Sequence, residues 1–103
     1  MASGILGQSA PAAATYTTVY TVPASTTATF NVNIVNTGSS PVNVRLALAA
    51  GATPATSEFV EYDINLLASG VLERTAFVAQ ATKRVVVYTD IATVSVSVYG
   101  YEA

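Results

Sequence analysis

The sequence predicts an all-β domain, an antiparallel β-sandwich of about seven to eight strands with jelly-roll or immunoglobulin-like topology and an extended N-terminal arm. Three observations carry this. From Thr15 onward apolar and polar residues alternate with a period of two. Val, Ile and Thr, which suit a pleated sheet because they are stiff at their first side-chain torsion, supply about a third of the chain. Turn signals built from Gly, Pro, Asn and Ser recur at short spacing, with no helical stretch of useful length between them.

Residues 1–14, MASGILGQSAPAAA, contain Gly4, Gly7 and Pro11 and have neither helical nor strand periodicity. They read as an arm, long enough at ~45 Å fully extended to cross a neighbouring subunit. Residues 15–103 form the sandwich domain. Residues 16–22 are a first strand, stopped by Pro23, which cannot donate to a ladder. Ala28, Phe30, Val32 and Ile34 alternate with Thr29, Asn31 and Asn33, giving one apolar and one polar face. Asn36-Thr37-Gly38-Ser39-Ser40-Pro41 is a turn on residue chemistry alone. Val42, Val44, Leu46 and Leu48 then face one way, and Asn43 and Arg45 the other.

Residues 49–56, with Gly51 and Pro54, are a loop. Residues 58–66 alternate again, placing Val60, Tyr62 and Ile64 on one face and Glu61, Asp63 and Asn65 on the reverse. Ser69-Gly70 turns the chain into residues 71–78, where alternation is weaker. Residues 83–89 carry three adjacent valines, the pattern of a strand covered on both faces. In the last strand Val94, Val96 and Val98 point inward while Thr93, Ser95, Ser97, Tyr99 and Tyr101 point outward.

Cys, His and Trp are absent, which excludes disulfides, thiolate or imidazole metal sites and any His- or Cys-based catalytic dyad. Only 10% of residues are charged, against about a quarter in ordinary soluble domains, and the net charge is -2. The positive potential that captures phosphate backbones is missing, so no nucleic-acid partner is expected; Lys83-Arg84 is the one basic pair. No apolar run approaches the ~20 residues that span a bilayer, so no membrane partner is expected. The start of the chain lacks the basic and long apolar regions of a secretory signal, which places synthesis and use in a cytoplasm. A small domain that is 51% apolar leaves neutral surface uncovered, and association with copies of itself or with a larger assembly follows.

Glu61 and Asp63, two apart on one strand, would project ~6 to 7 Å apart, the arrangement nearest to a glycosidase carboxylate pair. A solvated strand face, with the acids paired to Arg45 or Arg74, accounts for them better, because a general acid needs burial to raise its pKa. No metal, cofactor or enzymatic activity is expected. Tyr16 and Tyr20 share a face of the first strand, and Tyr99 and Tyr101 a face of the last; exposed tyrosines suit subunit contacts or, less readily, sugar stacking. In the arm, Ile5 and Leu6 are the bulky anchors, with Gln8 and Pro11 as further contacts.

Leu6-Gly7-Gln8-Ser9-Ala10-Pro11, Tyr20-Thr21-Val22-Pro23-Ala24 and the closing Ala92-Thr93-Val94-Ser95-Val96-Ser97-Val98-Tyr99-Gly100-Tyr101-Glu102 together resemble small virion proteins of tailed bacteriophages, notably marine and cyanobacterial ones. The resemblance runs almost end to end. It implies a β-rich, non-enzymatic virion protein, either a capsid decoration (cement) protein or a tail or fibre accessory that binds host glycans. It also implies a homo-oligomer, commonly a trimer, attached to the major capsid protein or another virion protein.

Overall fold

The computed structural model describes residues 2–103, and Met1 of the expected arm lies outside them. Eight strands run along the described chain: β1 (Ser3–Ser9), β2 (Thr17–Thr21), β3 (Ala28–Asn36), β4 (Val42–Ala49), β5 (Phe59–Leu66), β6 (Val71–Ala79), β7 (Arg84–Thr89) and β8 (Val94–Glu102). They form two four-stranded antiparallel sheets, β1-β8-β3-β6 and β2-β7-β4-β5. First pairs with eighth, second with seventh, third with sixth and fourth with fifth. That is a long two-stranded ribbon rolled up on itself, the jelly roll; the immunoglobulin-like alternative does not have this order. Among the described residues no helix is long and apolar enough to cross a membrane.

The core follows from the alternation. Ala28, Phe30, Val32 and Ile34 of β3 and Val94, Val96 and Val98 of β8 face Val42, Val44 and Leu46 of β4 and Val85 and Val87 of β7. These four strands are central in their sheets, and β3–β8 and β4–β7 pair without any break in register. Val86 points to the other side of β7 and is buried too, packed with Ala47 and Ala49 under Tyr16 and Phe59, as three consecutive valines require.

The outer strands behave differently. Each of the four edge strands is bulged, and in each the extra residue lies on the edge strand: between Ile5 and Gly7 in β1, between Thr18 and Tyr20 in β2, opposite Arg45 and again between Phe59 and Glu61 in β5, and opposite Asn31 in β6. Asp63 and Ala76 take positive φ, 51° and 63°, to make the bulges of β5 and β6. Asn31 fixes the second by accepting the Ala76 N–H at 3.0 Å. A bulge twists an edge and interrupts its row of free backbone groups, so all four edges resist addition of a foreign strand.

Two expectations are corrected here. The described part of the expected arm, residues 2–14, is not a free arm ahead of a domain that starts at 15. Ser3–Ser9 is an integral edge strand on β8, Leu6 packs against the core and Pro11 is buried. The segment hid its strand character because its bulge breaks the alternation and because Gly7 lies so close to β2 that a Cβ there would strike the Val19 carbonyl oxygen. Tyr16 and Tyr20 do not share a face: the β2 bulge turns Tyr20 into the core, where its hydroxyl donates to Glu102 at 2.5 Å. Burial, then the Glu102 contact, holds the Tyr20 phenol protonated far above its usual range.

Candidate functional site

Glu61 and Asp63 do not form a pair. Because Tyr62 and Asp63 together oppose Arg45, the strand reverses its facing between Glu61 and Asp63. Glu61 lies opposite the core residue Leu46 and pairs with Arg74, bridging the edge strands β5 and β6 of the two sheets. Asp63 lies on the outward face and pairs with Arg45. Each carboxylate is therefore bound to its own guanidinium, and the two face opposite sides of β5. Among the described residues no three Asp or Glu side chains converge as metal ligands would.

The outward face of the β2-β7-β4-β5 sheet carries an aromatic cluster that the sequence did not announce. The Arg45 guanidinium carbon lies 4.3 Å from the ring centroid of Tyr62 and 4.6 Å from that of Tyr88. Its Nε and Nη2 donate to the two Asp63 carboxylate oxygens at 2.6 and 3.2 Å, and its Nη1 donates to the Tyr16 hydroxyl at 2.9 Å. Phe59 meets Tyr62 edge-on at 4.9 Å between centroids, and Tyr16 meets Tyr88 at 4.9 Å. Arg45 thus fills the cation position of its own aromatic surround.

The hydrogen bonds from Arg45 hold the Asp63 carboxyl below the usual carboxylate range, aided by the guanidinium charge and opposed by partial desolvation. A depressed folded pKa means that the pair's contribution is complete above the unfolded value of about 3.9 and is lost as pH falls through the folded one. Carbon-detected NMR titration is expected to show Asp63 titrating below an ordinary aspartate, and Arg45→Ala to return it to the ordinary value.

The outward face of the β1-β8-β3-β6 sheet is built from aligned rows. Gln8, Ser97, Asn33 and Glu73 form one, in register across all four strands; Gln8 Nε2 donates to Ser97 Oγ at 3.3 Å. Ser3, Tyr101, Thr29 and Val78 form a second, Ile5, Tyr99 and Asn31 a third, and Ser95, Val35 and Val71 a fourth. Tyr99 donates its hydroxyl to Glu73, and that bond, with some burial, raises the Tyr99 pKa. Ile5, Val71, Val78 and Tyr101 are each more than half exposed here, while Glu73 is the one charged side chain in the four rows. Arg45, Asp63 and Arg84 lie on the opposite outward face.

Of the residues singled out from sequence, Ile5, Gln8, Tyr99 and Tyr101 come together on this face, where Glu73 is the one charge. Tyr16 joins the Arg45 cluster, and Leu6, Pro11 and Tyr20 serve the interior. Comparison with known protein families, with curated proteins and with solved structures returns no match.

Proposed function

We propose that this chain is a structural protein of a phage virion, a capsid decoration or cement protein that binds the outer shell as an oligomer and stabilises it. The observation that carries the reading is the unequal division of charge between the two outward faces. One holds a single carboxylate and four exposed large apolar side chains, Ile5, Val71, Val78 and Tyr101. Covering such a face desolvates almost no charge, and each Å² of apolar surface removed from water contributes ~25 cal/mol. With four bulged edges, adhesion proceeds through faces rather than by strand addition.

The resemblance of the 6–11, 20–24 and 92–102 segments to phage virion proteins supports the same reading. So does the jelly roll, which viral capsid proteins share with lectins and cupins, an analogy at the level of fold. The partners are then the major capsid protein or another virion protein, together with further copies of this chain. A glycan-binding accessory of a tail or fibre is the second reading, favoured by the aromatic surface around Tyr62, whose ring is more than half exposed.

One experiment separates the readings. Gold-labelled antibodies against the purified chain are expected to decorate the heads of particles made in cells that produce it. Label confined to tail tips favours the glycan-binding accessory, and particles without label overturn both.

A further inference from the structure

We infer that the outward face of the β1-β8-β3-β6 sheet is the docking surface for a second copy of this chain, the two sheets stacking face to face about a two-fold axis that runs along the strands between β8 and β3. This deepens the structural reading above and rests on it for the role, though not for the geometry.

The register supplies the self-complementarity. An axis in that position lays β1 of one copy over β6 of the other and β8 over β3, and keeps every row at its own level. The row Gln8, Ser97, Asn33, Glu73 then meets itself reversed. Each Gln8 amide faces Glu73 of the second copy, and each Ser97 hydroxyl faces an Asn33 amide. Each Glu73, which already accepts the Tyr99 hydroxyl of its own chain, thus gains a second donor. Two rows along, Tyr101 falls over Thr29, ring against methyl, and Ser3 over Val78. The perpendicular axis would instead bring β6 over β6 and put the two Glu73 carboxylates at the same edge, away from the Gln8 amides.

The size suits a weak to standard interface. Nine-residue strands such as β3, β6 and β8 are about 30 Å long, and four strands at about 4.8 Å spacing span about 19 Å with their side chains. Two such faces present roughly 1,100 Å² before side-chain relief is added, at the threshold of the ~1,200 to 2,000 Å² range of specific complexes. Sheets stacked in this way keep their strands within about 30° of each other. The sister face offers no equivalent, because Arg45, Asp63 and Arg84 would be desolvated there against their own copies.

Sedimentation velocity on the full chain tests the inference. The unaltered protein is expected to form a dimer. Tyr101→Glu and Val78→Glu, both at exposed positions, are expected to weaken it by about ten-fold or more, because each adds charge to the covered face; Asn65→Glu, on the other sheet, leaves it unchanged. Gln8→Lys is expected to tighten the dimer. Within one copy Gln8 and Glu73 stand three strand spacings apart, about 14 Å, so a gain of affinity reports contact between copies. Circular dichroism confirms that each variant is folded.

A monomer at high concentration, a trimer, or a dimer indifferent to Tyr101→Glu and Val78→Glu overturns the inference; so does a dimer that Gln8→Lys weakens. A monomer that still labels phage heads removes the second copy and keeps the virion role. A dimer absent from every particle removes the role and keeps the docking face.

Discussion

Gly100→Ala is expected to remove a large part of the stability of the folded state. Gly100 lies in β8 between Gly4 of β1 and Phe30 of β3. A Cβ at this position would meet the Phe30 Cα at 2.6 Å and the Thr29 carbonyl carbon at 2.9 Å, and would come closer still to the Thr29 carbonyl oxygen. Every obstacle is backbone of a central strand, so no rotamer change relieves the clash, and the β3–β8 pair must separate. That pair joins the two halves of its sheet and carries Phe30, Val32, Ile34, Val94, Val96 and Val98 into the core. Overpacking of this kind costs about 3 kcal/mol or more, against a total stability of ~5 to 15 kcal/mol for a domain of this size. Urea denaturation followed by circular dichroism checks it; a midpoint close to that of the unaltered protein would show that β8 and β3 can part locally without loss of the core.

The glycine matters because of where the chain was legible and where it was not. β3 and β8 could be read residue by residue, since a central strand with a neighbour on each side keeps strict alternation and each inward side chain is one of a row. The four edge strands could not. Each carries at least one more residue than its partner accommodates, β5 two, and an inserted residue reverses the facing beyond it. That single cause put Tyr20 in the core rather than on the surface, separated Glu61 from Asp63, and disguised Ser3–Ser9 as an unpaired arm. Bulges of this type leave no dependable trace in one sequence, because the residues that make them here, Asp63 and Ala76, are not glycines.

The surface was half legible for a related reason. Alternation along β8 correctly put Ser97, Tyr99 and Tyr101 outward, but it could not say which other strands would share their sheet. The face with a single charge exists only because β1, β3 and β6 bring Ile5, Asn31, Asn33 and Val78 alongside them. Likewise Arg45 could be assigned to an outward face, yet its surround of Tyr16, Tyr62 and Tyr88 comes from three separate segments. Strand order, not strand pattern, decides both.

Asn36 presents the opposite case, a residue noticed for its turn chemistry whose larger role is in the interior. It is fully buried at the end of β3. Its Nδ2 donates to the carbonyls of Ser40, Leu66 and Leu67 at 2.8, 3.1 and 3.2 Å, and its Oδ1 accepts from the Gly38 N–H and the Thr93 hydroxyl, both at 3.0 Å. One amide therefore ties the 36–41 turn, the end of β5 and the approach to β8, which belong to both sheets. Asn36→Ala leaves these groups without their partner; the Leu66 bond is buried and the other four are part-buried, so at about 1 to 3 kcal/mol for a buried group and less for the rest a loss of roughly 3 to 5 kcal/mol is expected. Asn36→Asp keeps the shape but aims a carboxylate oxygen at three carbonyl oxygens, so it is expected to be the more damaging change at neutral pH. Its sign with pH distinguishes the cause. Burial and the carbonyls raise the folded pKa of the new carboxyl above about 3.9, so the folded state binds the proton more tightly and stability recovers as pH falls through that raised value. Asn36→Ala has no such recovery. Thermal melts of both variants from neutral to mildly acidic pH check this: parallel curves would mean that the amide acts by filling space, whereas convergence on acidification means that its donated hydrogen bonds hold the two sheets together.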